Sequence, residues 1–267
     1  VRAALAACDL SIVSEAVRAS DTVDACRIRL PALAWAEKDG TVTNSDRRIS
    51  RQRAFLPLPG EAKPDWWIVS QVARRLGHGK AFAFEATHEI FAEHAALSGA
   101  QNDGGRAFDI RGLSALSGDD YDRLAPIQWP VPAANHAGTE RLLSDGRYFH
   151  ADGKARFIAT QPRPPVNAPD EQFPLVLNTG RVRDQWHTMT RTGYAPRLTG
   201  HVPEPYVDMH AQDALLAGAR EGELVRVATR WGSIIVRLRI TGEMPRGMIF
   251  APIHWNGVFA SDARVGA

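Results

Sequence analysis

The clearest pattern in the chain is an alternation of apolar and polar residues over LVRVATRWGSIIVRLRI, residues 224–240. Arginines lie on the polar face, and Trp231-Gly232 lies near the middle of the segment. A period of two on both sides of a turn predicts an antiparallel β-hairpin with one buried face. The residues predicted to share that face are Val225, Val227, Thr229, Ile234, Val236, Leu238 and Ile240.

Further elements are predicted on both sides of this hairpin. FPLVLNTG (173–180) and GMIFAPIHW (247–255) are apolar runs that predict strands, and HAQDALLAG (210–218) predicts a short helix that ends at Gly218. Short paired strands around one helix are typical of a small closed barrel. The last hundred residues are therefore predicted to be mainly β.

The beginning of the chain has the pattern of an α/β protein. LSIV (10–13) and CRIRLP (26–31) predict two buried parallel strands with a turn or short helix between them. Asp65 is the predicted N-cap of a helix that ends at Gly77. THEIFAEHAALSG (87–99) also has helical spacing, through Ile90, Phe91, His94 and Leu97.

Prolines cluster without apolar periodicity in QPRPPVNAP (161–169), which predicts a domain boundary there. Three regions follow from this division. They are residues 1–78, the C-terminal part of an α/β domain; residues 79–169, a helical and irregular linker region; and residues 170–267, a β-barrel domain.

Composition narrows the classes of partner. Basic and acidic residues number 32 and 30, so the net charge of +2 gives no overall bias toward nucleic acid or an anionic membrane. No stretch approaches the roughly twenty apolar residues of a membrane span. Only Cys8 and Cys26 are present and no CxxC occurs, so neither thiol is assigned to a zinc or iron–sulfur site.

Residues 178–193, NTGRVRDQWHTMTRTG, are unusually rich in hydrogen-bond donors, with three arginines and four threonines against one aspartate. Arginine forms bidentate hydrogen bonds with phosphate, and backbone N–H groups beside glycine approach an anion closely. The segment therefore predicts an anion site. A basic solvated turn with a packed tryptophan fits the spacing equally well.

Three more candidate positions lie in the first region. Ser14 and Glu15 follow the first strand, where open α/β sheets bind ligands and an acidic residue often accepts from ribose hydroxyls. Lys38 follows the second strand and suits a phosphate contact. Asp65 either caps its helix, which the spacing favours, or pairs with the donor edge of a guanine. No GxGxxG occurs, so the nicotinamide-type fingerprint is absent.

Two long stretches, LPALAWAEKDGTVTNSDRRISRQRAFLPLPGEAKPDWWI and the later LNTGRVRDQWHTMTRTG, resemble the molybdenum nitrate reductases of the dimethyl-sulfoxide-reductase (molybdopterin oxidoreductase) superfamily. The assimilatory catalytic subunit type is the nearest match, over almost the whole chain. The resemblance implies a C-terminal fragment, α/β followed by mainly β. It would comprise the end of a Rossmann-like cofactor-binding domain and a six-stranded double-psi β-barrel that binds the molybdopterin dinucleotide.

The implied cofactor is bis-molybdopterin guanine dinucleotide (Mo-bis-MGD). No catalytic or metal-binding residue is assigned, because the molybdenum ligand and a [4Fe–4S] cluster are expected in a missing N-terminal part. Ile253 and Ser261 fall where related enzymes place an aromatic residue and an asparagine, and they are not included. The cofactor-binding residues that the resemblance implies are Ser14, Glu15, Lys38, Asp65, Thr179, Gly180, Arg181, Val182, Arg183, Asp184, Gln185, Trp186, His187 and Thr188.

The resemblance also implies a reaction, the reduction of nitrate to nitrite by oxygen-atom transfer, in the cytoplasm and with electrons from a donor protein or reductase subunit. The fragment alone is expected to be inactive. One alternative is a formate dehydrogenase or another oxyanion reductase of the same superfamily. Another is a non-catalytic β-barrel binding module, which would scatter Lys38, Arg181 and Arg183 over the surface instead of gathering them at one groove.

Overall fold

A computed structural model describes residues 1–263, and the chain divides into unit 1, Val1–Ile158, and unit 2, Ala159–Ala267. Residues 264–267 of the predicted third region lie outside the described residues. Among residues 1–263, no helix combines the length and apolar character that a bilayer crossing requires.

Unit 1 contains short helices and strands. In chain order they are α1 (Arg2–Ala7), β1 (Ile12–Glu15), α2 (Asp21–Ala25), β2 (Ile28–Pro31), β3 (Gly40–Thr43), β4 (Arg48–Gln52), α3 (Asp65–Ala73), α4 (Thr87–Gly99), α5 (Gly118–Asp122) and β5 (Ile127–Gln128). A 3-10 turn at Trp35–Glu37 precedes β3, and a π-helical turn at Arg74–His78 follows α3.

The predicted pair of parallel strands is confirmed. β1 and β2 run parallel with Ile12 opposite Ile28, and α2 lies between them in sequence. Ser20 caps α2, because its hydroxyl accepts a hydrogen bond from the Val23 N–H at 3.2 Å. The carboxyl ends of both strands therefore lie side by side, at Glu15 and Pro31.

The predicted helix after Pro64 is also present, but the predicted role of Asp65 as its N-cap is wrong. Pro64 occupies the N-cap position of α3, and Asp65 is the first helical residue. The Asp65 carboxylate accepts from side chains elsewhere in unit 1, so it is not turned back toward the N–H groups of its own helix. The helical turns end near Gly77, whose φ is 93°.

A hydrophobic core of unit 1 joins α4 to a small antiparallel sheet in the order β3-β4-β5. The helix predicted over 87–99 is confirmed, with a buried row of Phe91, Ala95 and Ser98, whereas Leu97 is 62% exposed. Ser98 is tolerated inside because its hydroxyl donates to the Ala95 carbonyl at 2.6 Å and accepts from the Ile110 N–H at 2.8 Å.

Unit 2 is dominated by one mixed sheet. Its elements are β6 (Val176–Gly180), α6 (Pro196–Thr199), β7 (Tyr206–Met209), α7 (Ala211–Leu216), β8 (Leu224–Ala228), β9 (Ser233–Ile240) and β10 (Met248–Pro252). The strand order is β6-β10-β7-β9-β8, with β6–β10 and β7–β9 parallel and the other pairs antiparallel.

The predicted hairpin is confirmed in register, since Val225 lies opposite Val236 and Val227 opposite Ile234. Leu238 and Val236 are fully or almost fully buried, at 0% and 1% exposed, and each contributes roughly 1.5–3 kcal/mol of burial free energy. The described part of unit 2 has five strands in this sheet, so the closed six-stranded double-psi barrel is not confirmed.

Candidate functional site

Three of the predicted site residues of unit 1 meet at one carboxylate. The Ser14 hydroxyl donates to Asp65 Oδ1 at 2.8 Å, and the Lys38 ammonium lies 3.4 Å from Asp65 Oδ2. The side chains of Lys38 and Asp65 are 33% and 54% exposed, so polar atoms of both remain open to solvent. A hydroxyl, a cation and a carboxylate are therefore presented together.

The backbone explains this meeting. Ser14 lies at the carboxyl end of β1, and the Lys63 N–H donates to the carbonyl of Pro31, the last residue of β2, at 3.1 Å. Asp65 follows two residues later at the start of α3, so it is held beside the strand ends. The carboxyl ends of parallel strands are where open α/β sheets bind ligands.

Glu15, the fourth predicted residue of unit 1, has a local role in addition. Its Oε1 accepts from the backbone N–H groups of Ala16 and Val17, at 2.8 and 3.2 Å. Two such bonds fix the chain as it leaves β1. The structure thus brings Ser14, Lys38 and Asp65 together and places Glu15 beside them in sequence, at the end of the same strand.

In unit 2 the remaining predicted residues form the donor loop, residues 179–188, which leaves the end of β6. Gly180 is needed there, because a Cβ at this position would lie 2.9 Å from the Phe250 ring of the neighbouring strand. The close approach of β6 to β10 therefore fixes where the loop begins.

The exposed face of the donor loop is cationic and aromatic. The Arg181 guanidinium lies over the Trp186 ring at 4.6 Å and donates toward His187 Nε2 at 3.4 Å. The Trp186 and His187 rings meet edge to face with centroids 4.6 Å apart. Trp186 is nevertheless 59% exposed, so a planar apolar surface and a guanidinium are offered together.

Asp184, the single aspartate of the loop, has its negative charge balanced by hydrogen bonds from neighbouring side chains. Arg183 donates two hydrogen bonds to Asp184, both at 3.0 Å, and His201 Nδ1 lies 2.6 Å from Asp184 Oδ2. The hydrogen bonds from Arg183, with a further contribution from His201, hold the pKa of Asp184 below its usual value of 3.8. Asp184 therefore does not cancel the positive charge of Arg181.

Gln185 is the one buried side chain among the predicted loop residues, at 4% exposed. The Thr192 hydroxyl donates to Gln185 Oε1 at 2.7 Å and accepts from the Trp186 N–H at 3.2 Å. This fixes the orientation of the amide and leaves Gln185 Nε2 with no hydrogen-bond partner among the described residues. A buried donor without a partner is costly unless a ligand or water completes it.

Sequence reasoning missed the residues that hold this loop from outside it. His254 contacts the Val182 N–H and the His187 carbonyl, and Asn256 contacts the Thr188 carbonyl. These contacts join residues about seventy positions apart, and no spacing pattern signals them. A histidine at the end of an apolar strand was the only available hint.

The two clusters belong to different units. Ser14, Lys38 and Asp65 lie in unit 1, whereas the donor loop lies in unit 2. The expected groove that gathers Lys38, Arg181 and Arg183 stays a prediction.

Two further observations concern the surroundings of the donor loop: the position of a cavity in unit 2, and the absence of a metal-ligand cluster among residues 1–263. A cavity of about 750 Å³ in unit 2 is lined by residues 167–169 and 172–177 and by strands such as β8, and none of residues 179–188 lines it. Within residues 1–263, no three His, Cys, Asp or Glu side chains gather as a metal site. The donor loop itself presents the Arg181 guanidinium and the exposed Trp186 ring, which suit an anion and a planar group.

Family comparisons match both ends of the chain. Residues 1–75 match the family model described as "Molybdopterin oxidoreductase", and residues 175–267 match the model described as "Molydopterin dinucleotide binding domain". The donor loop falls wholly within the second match.

Curated relatives match this chain over most or nearly all of its length. A "Nitrate reductase" of Klebsiella oxytoca is 51% identical over 265 residues, which are 99% of this chain and 30% of the relative. The "Assimilatory nitrate reductase catalytic subunit" of Bacillus subtilis is 33% identical, over 88% of this chain and 32% of the relative. The "F420-dependent formate dehydrogenase subunit alpha" of Methanocaldococcus jannaschii is 32% identical, over 96% and 36%.

Among solved structures, an acetylene hydratase from Pelobacter acetylenicus shares the fold, with a TM-score of 0.61 at 17% identity over 97% of this chain and 35% of that one. The chain spans about a third of the length of the relatives it matches. With both family models and these relatives in agreement, the chain belongs to the molybdopterin oxidoreductase family.

Proposed function

We propose that this chain is the cofactor-binding part of a molybdenum nitrate reductase, which reduces nitrate to nitrite by oxygen-atom transfer at a bis-MGD centre. One observation carries the choice of nitrate: the 51% identity to the Klebsiella oxytoca nitrate reductase extends over 99% of the chain. A relative matched this closely along its whole shared length supports the same substrate class.

The donor loop fits the anionic cofactor. Arg181 is unopposed by Asp184, whose charge Arg183 and His201 already balance. The exposed Trp186 ring offers a surface for a planar group. Gln185 Nε2, which has no hydrogen-bond partner within residues 1–263, offers a buried donor. When bound, the cofactor supplies the redox chemistry of molybdenum, while these residues bind and orient it.

The cluster in unit 1 fits the nucleotide end of the same cofactor. A carboxylate such as that of Asp65 accepts hydrogen bonds from the donor edge of guanine, which carries an N–H and an amino group. Lys38 supplies a cation for a phosphate, and Ser14 holds the carboxylate in place through its 2.8 Å hydrogen bond. Glu15, at the end of β1, is assigned to a ribose hydroxyl.

Finer features of the whole protein belong to the same proposal. The mixed sheet of unit 2 is assigned to a six-stranded double-psi barrel, and residues 1–78, 79–169 and 170–267 to an α/β part, a linker and that barrel. The parallel β6–β10 and β7–β9 pairs support this assignment. The protein is placed in the cytoplasm, with electrons from a donor protein or reductase subunit; its low cysteine content fits a reducing compartment.

The cofactor is tested on the full-length protein that contains this chain. Acid treatment of the purified protein should release GMP and molybdenum in a ratio of two to one, as expected for two guanine dinucleotides per metal. An Arg181→Gln variant should retain less of both, whereas Arg226→Gln, on the exposed face of β8, should retain wild-type amounts. Purified protein without GMP would contradict the proposal.

The substrate is tested separately, because the Methanocaldococcus jannaschii relative is a formate dehydrogenase and supports that second candidate. Reduced viologen should be oxidised rapidly with nitrate and not detectably with selenate, and oxidised viologen should not be reduced by formate. Rapid formate oxidation with no nitrate turnover would transfer the assignment to formate.

A further inference from the structure

The segment that follows β10 grips the donor loop at four points. The Ile253 N–H donates to the Gly180 carbonyl at 3.0 Å, at the start of the loop. Inside it, His254 contacts the Val182 N–H at 2.9 Å and the His187 carbonyl at 2.5 Å, and Asn256 Nδ2 donates to the Thr188 carbonyl at 2.6 Å. The contacts therefore cover the loop from its first residues to its last.

The two bonds of His254 specify the protonation of its ring. The Val182 N–H can only donate, so Nε2 must carry a lone pair; the His187 carbonyl can only accept, so Nδ1 must carry the hydrogen. Only the neutral ring with its hydrogen on Nδ1 makes both bonds. The side chain is 0% exposed, which protects both bonds from competing water.

The carbonyls that are held lie at a strained part of the backbone. His187 and Met189 have φ values of 45° and 60°, in the left-handed region that residues other than glycine seldom adopt. His254 fixes the carbonyl of the first of these residues, and Asn256 fixes the carbonyl of Thr188 between them. A conformation of this kind persists only where surrounding contacts impose it.

We propose that His254 and Asn256 are positioning residues that impose the bound shape of the donor loop, and so set the affinity of the protein for the guanine dinucleotide. Neither residue is required to touch the cofactor. Their effect passes through the backbone around Trp186 and His187, whose side chains form the exposed face of the loop. The link to the dinucleotide rests on the proposed function, whereas the shape of the loop does not.

Three variants of the full chain test this. His254→Phe fills the buried space and removes both bonds, and His254→Asn keeps a donor near the position of Nδ1. Asn256→Ala, at a part-buried site, removes one bond to the loop, and it also removes the bond that Asn256 Oδ1 accepts from the Val258 N–H at 2.8 Å outside the loop. His210→Phe is the matched control in unit 2, because it removes the hydrogen bond that the His210 side chain accepts from the Gln212 N–H.

The first readouts need no ligand. The wild-type His254 ring should show a ¹⁵N resonance with a proton on Nδ1 and none on Nε2. Trypsin cleavage after Arg181 and Arg183 should accelerate by about tenfold or more in His254→Phe, which loses two hydrogen bonds to the loop. It should accelerate by about fivefold in Asn256→Ala, which loses one bond to the loop. His254→Asn should fall between His254→Phe and wild type, and His210→Phe should stay within about twofold of wild type.

The second readout is the affinity for GDP, the nucleotide part of the proposed ligand, measured by calorimetry. It should fall by the same factors in the same order. If wild type and Asn256→Ala cleave at equal rates, or if His210→Phe opens the loop as much as His254→Phe, the positioning role is wrong. If the loop opens as expected but wild-type protein binds no GDP, the loop's shape is upheld and its assignment to a guanine nucleotide is overturned.

Discussion

Ser14 and Asp65, which lie 51 residues apart in sequence, share a hydrogen bond of 2.8 Å between the Ser14 hydroxyl and Asp65 Oδ1. Lys38 contacts the other oxygen of the same carboxylate at 3.4 Å. The sequence indicates these three residues only as separate candidates. In the structure they form a single cluster at the carboxyl ends of two parallel strands. The carboxylate is the common partner, so it is the residue to test first.

Asp65→Asn should separate binding from stability. The Lys38–Asp65 pair is partly exposed, so its loss should change the free energy of unfolding by less than about 1 kcal/mol. The affinity for GDP should fall by about tenfold or more, because an uncharged amide replaces the carboxylate that accepts from guanine. Urea unfolding and calorimetry measure the two effects.

Asp24→Asn is the control for this variant, since Asp24 forms a comparable exposed pair with Arg29 at 3.6 Å in the same unit. It should leave the GDP affinity unchanged. Equal affinities for GDP in wild type and Asp65→Asn would remove Asp65 from the site.

The sequence predicted best where a local period determines the structure. Alternation gave the β8–β9 hairpin and its inward residues, because the side-chain period of a strand is two. It failed for β7, which is only four residues long, although Val207 within it is completely buried. An element of that length has too few positions to show a period, and its neighbours β9 and β10 come later in the chain.

Site residues divide in the same way. The donor loop is predicted because its arginines and threonines lie close together in sequence. His254, which accepts a hydrogen bond from the Val182 N–H of the loop, lies 72 positions further along the chain. Spacing alone favours Asp65 as a cap of its own helix, because local capping is the commoner use of an aspartate before such a run, and only the family resemblance implies that it binds the cofactor. The structure gives it distant partners instead, Ser14 and Lys38, which only the fold brings near.

Arg51 is expected to be a large contributor to the stability of unit 1. Its side chain is 2% exposed and contacts Asp39 and Asp122 at 2.8 and 2.9 Å, with the guanidinium 3.8 Å from the centroid of the Tyr121 ring. Arg51→Met should cost roughly 2–3 kcal/mol in urea unfolding. Arg51→Lys should recover little, because an ammonium cannot bridge two carboxylates and stack on a ring together.

Arg51→Met should also change the pKa of the Tyr121 phenol. Burial raises the pKa of the Tyr121 phenol, and the charge of Arg51 opposes that rise. Arg51→Met should therefore raise the Tyr121 pKa further, as read by ultraviolet titration.

The control for the stability prediction is Arg123→Ala, which removes an exposed pair with Asp120 and should lower the free energy of unfolding by no more than about 0.5 kcal/mol. A cost as small for Arg51→Met would show that the buried cluster adds nothing.

Gly193 is expected to be intolerant of a side chain. A Cβ there would lie 2.4 Å from the Phe259 ring, so Gly193→Ala should cost roughly 1–3 kcal/mol through overpacking. Gly232→Ala is the matched control, because a Cβ there would have no atom within 4 Å among the described residues, apart from its own chain neighbours. Combining Gly193→Ala with Phe259→Leu should cost less than the two single changes added together, as a double-mutant cycle would measure. Simple additivity would exclude this contact as the cause.

The pair of Arg183 and Asp184 should make the stability of unit 2 sensitive to acid. Because the hydrogen bonds from Arg183 lower the pKa of Asp184 in the folded chain, the stabilisation is complete above the usual value of 3.8. It is lost as the pH falls from there through the lower folded pKa. Asp184→Asn should therefore be less stable than wild type near neutral pH, and the difference should shrink as the pH falls below the usual carboxyl value of 3.8.

Arg183→Gln tests the cause directly. With the guanidinium gone, the pKa of Asp184 should rise toward its usual value, as followed by ¹³C resonances of the carboxyl group, while His201 keeps part of the depression. Arg226→Gln should leave it unchanged, since Arg226 lies on β8 and contacts Ser233 instead. If the Asp184 pKa were the same in Arg183→Gln as in wild type, Arg183 would not be the partner that neutralises the loop. Its charge would then be free to join that of Arg181 in holding the anion.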